Sequence, residues 1–262
     1  MDNLKIYNPF NAPVLYEEIV SSTMDVSRIY ASNDTQHGTV ITANYQKAGR
    51  GRGNNRYWEM EKDLNLPFTI FLRYKSFSEI PVSITLRAGL AVSLAIEDFA
   101  PCLQNKVMVK WPNDIMIGSK KTAGILCEAD GTNVFLGIGI NVMQEEFPLH
   151  LKGKATSIAL ESSMKEQPVG FASGSRYDLL ELILKRLFDE LETDKGNSWK
   201  YRLEQRLYKK NSQVTFIDGA ADSGREVKGL LAGIGQTGEL LIIPDGMEKA
   251  QSFVTGELLI VN

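Results

Sequence analysis

The stretch Gln46-Lys47-Ala48-Gly49-Arg50-Gly51-Arg52-Gly53-Asn54-Asn55-Arg56-Tyr57-Trp58 concentrates the residue types that handle anions. Three alternating glycines let the backbone turn its N–H groups toward one point, and the arginines between them add charge-assisted, two-pronged donors that match phosphate. A run of this composition also reads as a solvated basic loop, or as a nucleic-acid-binding tail with Tyr57 and Trp58 as stacking rings. Its place between two strand-like runs argues against a tail, and Trp58 offers a ring broad enough to cover a purine. No Gly-Lys-Ser/Thr follows the glycines, so the usual nucleoside-triphosphate loop is absent. Residues 233–238 fit G-x-G-x-x-G, but a short apolar run stopped by Pro244 follows them where a dinucleotide motif needs a helix. They read as a hairpin turn.

A second constellation, Lys110-Trp111-Pro112-Asn113-Asp114, is followed by Lys120-Lys121, Ala123-Gly124 and Glu128. Lys110, Asp114 and Glu128 have apolar neighbours, so these charges lie near a core and need partners, as a buried ion pair beside a hairpin or as chemical groups. One of Lys120 and Lys121 could turn inward at an anion, and Gly124 allows close approach to the strand backbone. In residues 135–142, Gly137 and Gly139 weaken a strand unless something needs the room, and Asn141 could orient a ligand. Ser21-Ser22-Thr23-Met24-Asp25 by itself reads only as the N-cap of a helix over residues 26–31.

Elements must hold these residues. Residues 40–43 and 67–74 are short, β-branched and apolar, and read as strands flanking the Gly/Arg loop. Pro81 opens a helical pattern to Ala100, with Ile84, Ala88, Ala91, Val92 and Ala95 on one face. Four strand-like runs follow, at 106–111, 114–117, 122–128 and 133–142, separated by turn residues. Residues 175–192 form an apolar helical stripe through Leu180, Ile183, Leu184, Leu187 and Leu191, and a weaker helix runs over 197–209. After Asn211 the texture changes to short strands and turns, the signature of a small barrel of about 50 residues. The pattern predicts an α+β fold: a mixed sheet flanked by helices over 1–210, then a small β-barrel over 211–262.

Composition narrows the function. Of 262 residues, 29 are Lys or Arg and 32 are Asp or Glu, a formal net charge of −3 without the basic surplus of a general nucleic-acid binder. Attraction for phosphate must therefore be local. Two cysteines and two histidines, far apart, leave no disulfide framework and no zinc cluster, which fits a reducing, cytoplasmic setting. No apolar run approaches the roughly 20 residues of a membrane span, and no apolar segment follows Met1 as a signal peptide would require. With no secretory signal the sequon Asn33-Asp34-Thr35 is discounted.

Taken in order, these segments resemble the biotin protein ligases (biotin–[acetyl-CoA-carboxylase] ligases) over nearly the whole chain. The family's early Ser-Thr motif is similar to Ser22-Thr23-Met24, its Gln and Gly-Arg-Gly-Arg loop to Gln46 and Gly49-Arg50-Gly51-Arg52, and its Lys-Trp-Pro-Asn-Asp block to Lys110-Trp111-Pro112-Asn113-Asp114. The lysine that follows matches Lys121, with Gly124 and Glu128 beyond it. The Gly-x-Gly-x-Asn strand matches Gly137, Gly139 and Asn141, and the closing strand matches Thr255-Gly256-Glu257-Leu258. The chain departs from the family between Arg52 and Trp58, where the equivalent of a further arginine is unassigned. Nothing basic follows Gly256-Glu257, where larger members bring such a residue to ATP.

The resemblance implies a class II synthetase-like, biotin/lipoate ligase catalytic domain with an SH3-like C-terminal barrel. Only 21 residues precede Ser22, which implies the monofunctional class without a DNA-binding domain. It implies ATP and biotin as substrates, Mg2+ with the triphosphate, and a biotin carboxyl carrier protein as acceptor, with no DNA or membrane partner and a monomer or homodimer as the working form. Implied biotin-binding residues are Ser22, Thr23, Met24, Gln46, Arg50, Gly51, Arg52, Lys121 and Gly124. Those for ATP are Gly49, Arg50, Arg52, Trp58, Lys110, Asn113, Asp114, Lys121 and Asn141, with Lys121, Arg52 and Arg50 carrying the chemistry and Asp114 facing a lysine or a metal-bound water. Lipoate and octanoate ligases or transferases, related in fold, are the enzymatic alternative.

Overall fold

The computed structural model describes residues 1–32, 34–53, 56–163, 175–194, 196, 198–220 and 223–259. Asn54, Asn55, the sequon's Asn33, the start of the expected helix at Asn197 and the last three residues lie outside these. The chain runs β1 (Asp2–Asn3), β2 (Val14–Val20), α1 (Thr23–Tyr30), β3 (Thr39–Gln46), β4 (Gly49–Arg50), β5 (Tyr57–Trp58), β6 (Asn65–Arg73), α2 (Ile84–Phe99), β7 (Val107–Lys110), β8 (Asp114–Ile117), β9 (Lys120–Asp130) and β10 (Asn133–Asn141). It continues through α3 (Ile158–Ser163), α4 (Ser175–Phe188), α5 (Ser198–Glu204), β11 (Gln213–Asp218), β12 (Arg225–Ile234), β13 (Leu240–Pro244), β14 (Gln251–Phe253) and β15 (Gly256–Leu258).

Eight strands form one mixed sheet in the order β1-β2-β3-β6-β10-β9-β8-β7. Only β2 and β3 are parallel, because α1 returns the chain between them, and Val20 pairs with Gln46 at their carboxyl ends. One face of the sheet buries Leu66, Phe68, Ile70, Leu72, Val134, Leu136, Ile138 and Ile140 in a core shared with α2 and α4. The alternate residues of β10, namely Phe135, Gly137 and Gly139, face the other side, where Met24, Phe71 and Phe135 make a smaller cluster under α1. This face carries the site.

The sheet's margins differ. Beyond β7 the backbone bonds onward, with Val109 N donating to Arg206 O at 2.7 Å and Tyr208 N to Val109 O at 2.9 Å. At the other margin β1 covers only Leu15 and Tyr16 of β2, and the uncovered remainder carries Glu17 and Glu18, the latter paired with Lys62 at 2.7 Å.

The expected helices are present with adjusted ends. The α2 helix starts at Ile84 rather than Pro81, because Ser83 before it takes a left-handed backbone (φ 56°). At Phe188, α4 gives way to a π-turn, Asp189–Thr193, whose neighbourhood supplies the Glu190 and Asp194 carbonyls that accept from the buried Arg87 guanidinium. The weaker helix is confined to α5, after which the chain turns to run beside β7. Against the expectation of no membrane-length apolar run, the stretch Phe77–Phe99 is long and apolar enough to cross a membrane by length and composition. Its residues from Leu86 to Val92 are instead packed inside the protein.

The C-terminal strands form a second, antiparallel sheet, β14-β13-β12-β11-β15, curled into a barrel-like unit around Phe216, Leu231, Leu240 and Phe253. The turn at 235–238 joins β12 to β13, as the hairpin reading requires. Trp111 fastens this unit to the large sheet: its ring meets Phe216 edge-on at 5.9 Å, and its Nε1 donates to Gly238 O at 2.9 Å.

Candidate active site

The parallel pair β2 and β3 sets the first wall. Ser22, just past β2, caps α1 by accepting from Met24 N at 3.2 Å. Thr23 donates to Gln46 Oε1 through its backbone N (2.7 Å) and its Oγ1 (3.0 Å), and Thr69 Oγ1 donates to Thr23 Oγ1 at 2.9 Å. With the Gln46 carbonyl oxygen held by two donors, its amide nitrogen is left with only the weak acceptor Met60 Sδ at 3.9 Å. Ser22, Thr23 and Gln46 are all buried, so their polar groups are fixed and water-poor before any ligand arrives.

The opposite wall depends on a register shift. Ile115 pairs with Ala123, but Met116 pairs with Lys121, so Thr122 is an extra residue in β9. Strict alternation from the buried Ala123 would send Lys121 into the core; the bulge turns it to the face of Gly124 instead. There Lys121 Nζ sits 2.6 Å from Asp114 Oδ1, and Lys110 Nζ is 3.9 Å from Asp114 Oδ2. Burial pushes the Lys110 ammonium below the ordinary lysine range, against the pull of Asp114. Lys120 turns away, 3.8 Å from Glu161.

The Gly/Arg segment forms a lid. Gly49 and Arg50 pair with Trp58 and Tyr57, and Gly51 N donates to Arg56 O at 2.9 Å. The Gly51 amide is therefore spent within the hairpin and does not point at an anion, a correction to the expected backbone cradle. The arginines reach out instead. Arg50 contacts Glu128 at 2.7 Å and Asp25 at 3.2 Å, Arg52 Nη2 donates to Gly256 O at 2.7 Å, and Arg56 meets Glu257 at 2.5 Å. Burial pushes the Arg52 guanidinium below its usual value, with Glu257 and Asp114 opposing.

Under the lid, two cross-strand glycines leave a bare patch, Gly139 facing Gly124. Trp58 fills it: a Cβ at Gly139 would meet three indole atoms at 2.7–2.9 Å, and one at Gly124 would meet the ring at 3.1 Å. Gly137 makes the same kind of room for the Met24 methyl, 2.8 Å from where its Cβ would stand. The room that these glycines provide thus goes to side chains of this chain. The Trp58 Nε1 is buried without a hydrogen-bond partner, and Lys121 Nζ stands 5.6 Å from the ring centre.

These walls enclose a narrow cavity that Trp58 partly fills. Of the sequence-predicted residues, Ser22, Thr23, Met24, Gln46, Arg50, Gly51, Arg52, Trp58, Asn113, Lys121 and Gly124 line it. Lys110 and Asp114 line an adjoining hollow of about 930 Å³, which shares Arg52, Trp58 and Lys121 with the cavity and adds Arg56 and Glu257. Gly49 lines neither; it packs closely enough that a Cβ there would stand 2.6 Å from Trp58 O and 3.1 Å from Gln46 Nε2. Asn141 also lines neither. Its carboxamide is consumed inside the protein, accepting from Asn65 at 2.9 Å and donating to Thr156 O at 3.0 Å.

Thr69 was not foreseen, because a single hydroxyl in an apolar strand carries no sequence signal, and neither were the roles of Asp25 and Glu257 as partners of the loop. Among the described residues no group of three or more His, Cys, Asp or Glu is placed to hold a metal ion. The two hollows, one with fixed amide and hydroxyl groups and one lined by Arg52, Arg56, Lys110 and Lys121 with the carboxylates of Glu59, Asp114 and Glu257 among them, meet at Lys121.

Residues 16–144 match the model of the Biotin/lipoate A/B protein ligase family. The chain is 36% identical over 164 residues to the bifunctional ligase/repressor BirA of Bacillus spizizenii, covering 60% of this chain and 49% of that one. It is 32% identical over 142 residues to the biotin--[acetyl-CoA-carboxylase] ligase of Mycobacterium tuberculosis, covering 53% and 51%. The match therefore spans about half the length of these curated relatives. Among solved structures, the biotin protein ligase from Aquifex aeolicus in complex with biotin and ATP superposes with a TM-score of 0.76 at 26% identity, covering 94% of this chain and 97% of that one.

Proposed function

The chain belongs to the biotin/lipoate A/B protein ligase family, and on that premise we propose that it is an ATP-dependent biotin protein ligase acting on a biotin carboxyl carrier protein. In the first step a carboxylate oxygen of biotin attacks the α-phosphorus of ATP, the bond to the β-phosphate oxygen breaks, and pyrophosphate leaves. In the second, the amine of the carrier lysine attacks the acyl carbon, the bond to AMP breaks, and the amine loses a proton.

The observation that carries this reading is Lys121, turned by the bulge to the junction of the two hollows and held there by Asp114 at 2.6 Å. Two anions must meet in the first step, so a cation fixed in advance at their junction lowers the barrier where charge accumulates. Thr23 and the Gln46 amide suit the ureido ring of biotin, while Leu126 and Met24 supply apolar wall for its chain. Arg52, Arg56 and Lys110 suit the phosphates. For Mg2+ the protein supplies little, since Asp114 already faces both lysines. The ion would come with the triphosphate. Free Cys102 and Cys127 suit a reducing cytoplasmic setting.

Pyrophosphate exchange into ATP, run with biotin, lipoate and octanoate in turn, tests the reading. Exchange that depends on biotin is expected, and dependence on lipoate alone would overturn it. Arg52→Gly is expected to keep exchange while releasing the acyl-adenylate; a variant that retains it as tightly as wild type contradicts the role given to Arg52.

A further inference from the structure

Arg28 lies in the last turn of α1, outside both hollows. Its Nε and Nη2 donate to Glu128 Oε2 at 3.1 and 2.7 Å, and its guanidinium lies over the Phe135 ring, 4.7 Å from the centre. The same carboxylate receives Arg50, at 2.7 Å on Oε1 and 3.3 Å on Oε2. Glu128 thus serves two guanidinium ions, one from a fixed helix and one from the lid. Arg50 lines the cavity, yet it is held here by Glu128 and Asp25.

We propose that Arg28 is a positioning residue that lets Arg50 leave Glu128 for an anionic ligand. This rests on the proposed function, in which the arriving anion is the carboxylate of the acid or its adenylate. For Arg50 to reach such an anion it must give up Glu128, whose side chain is only 22% exposed. A half-buried carboxylate stripped of its partner is costly. With Arg28 in place, the carboxylate keeps two charge-assisted bonds after Arg50 departs, and the exchange stays nearly balanced. Without Arg28, Arg50 is the sole guanidinium on Glu128 and remains with it.

The test uses the full chain carrying Arg28→Met, Arg28→Lys, Glu128→Gln and the double change Arg28→Met/Glu128→Gln. Calorimetric titration with biotin and steady-state pyrophosphate exchange are measured for each. Arg28→Met is expected to raise the Kd and the KM for biotin by about three- to tenfold, with kcat within about twofold of wild type. Arg28→Lys should restore most of the loss, and Arg28→Met should cost nothing further once Glu128 is Gln. Because Arg28 also packs on Phe135, thermal melting is followed in parallel. A lowered Tm with unchanged biotin affinity would overturn the proposal, and so would a loss of affinity that persists in the Glu128→Gln background. Should the wild type bind lipoate and not biotin, the functional reading fails by itself. The same four variants titrated with lipoate, also a carboxylate, then decide the role of Arg28.

Discussion

Lys121 and Lys110 share one carboxylate but lie on opposite sides of a physical divide. Lys121 is a third exposed and close to Asp114, while Lys110 is buried and 3.9 Å away. Lys121→Ala is expected to lower kcat/KM for biotin-dependent exchange by about 10²–10³-fold, the scale of losing one fixed charge stabiliser. Asp114→Asn frees the ammonium without removing it and should cost less; equal losses would place the essential group on Asp114. Lys110 bears on stability. Its pKa is depressed in the folded state, so at pH values between the folded and unfolded pKa the unfolded chain binds the extra proton, and stability rises with pH there. Guanidinium melts from pH 7 to 10 should show wild type gaining on Lys110→Met as pH rises, and a falling difference would contradict the burial argument. At this scale the sequence is readable where a residue type is rare in its surroundings, as with Lys110, Asp114 and the arginines. It is not readable for Thr69 or Asn141, whose roles depend on which way a strand residue faces and on who else uses its hydrogen bonds.

The strands and the lid hairpin work as one device, since Trp58 reaches its place only because Gly139 and Gly124 sit opposite each other in β10 and β9. Gly139→Ala puts a methyl 2.7 Å from the indole, and neither a rigid ring nor a central strand yields by that much. The chain should still fold, at a cost of about 1–3 kcal/mol for overpacking, but with the hairpin displaced. Biotin affinity should then fall at least about tenfold, the equivalent of some 1.4 kcal/mol. Gly124→Ala, whose methyl would stand 3.1 Å from the ring and 3.2 Å from the flexible end of Lys121, should do less. If Gly139→Ala binds biotin like wild type, the slot does not hold the lid. Alternating glycines announced that something needs room but not what, because the occupant comes from a loop some 80 residues earlier in the chain. Likewise the four strands from 106 to 142 were legible from period and turns, whereas the bulge that sets the face of Lys121 was not. Parity read outward from Ala123 gives the wrong face.

Across the whole molecule the C-terminal sheet is joined to the site at two levels. Trp111 and Phe216 belong to a single hydrophobic core with α2 and α4, and β15 holds the lid through Gly256 O and Glu257. A chain stopped after Lys210 would expose Trp111 and its neighbours, so it should lose its near-UV circular dichroism rather than persist as a working domain. Full-length protein should melt in one transition with loss of activity at the same temperature; two separated transitions would show the barrel to be an independent unit. The change of texture at residue 211 made the second sheet visible in the sequence, but contacts that distant cannot be read from local pattern. The sheet's open margin bears on solubility. From Val14 to Val20 the strand reads Val-Leu-Tyr-Glu-Glu-Ile-Val, and past Tyr16 its outer peptide groups meet no further strand among the described residues. Glu17 and Glu18 are what keep that margin from templating a foreign strand. Replacing both with valine would leave every ligand contact in place, and the resulting protein would fail in a different currency, by light scattering and fibril-like association as it is concentrated.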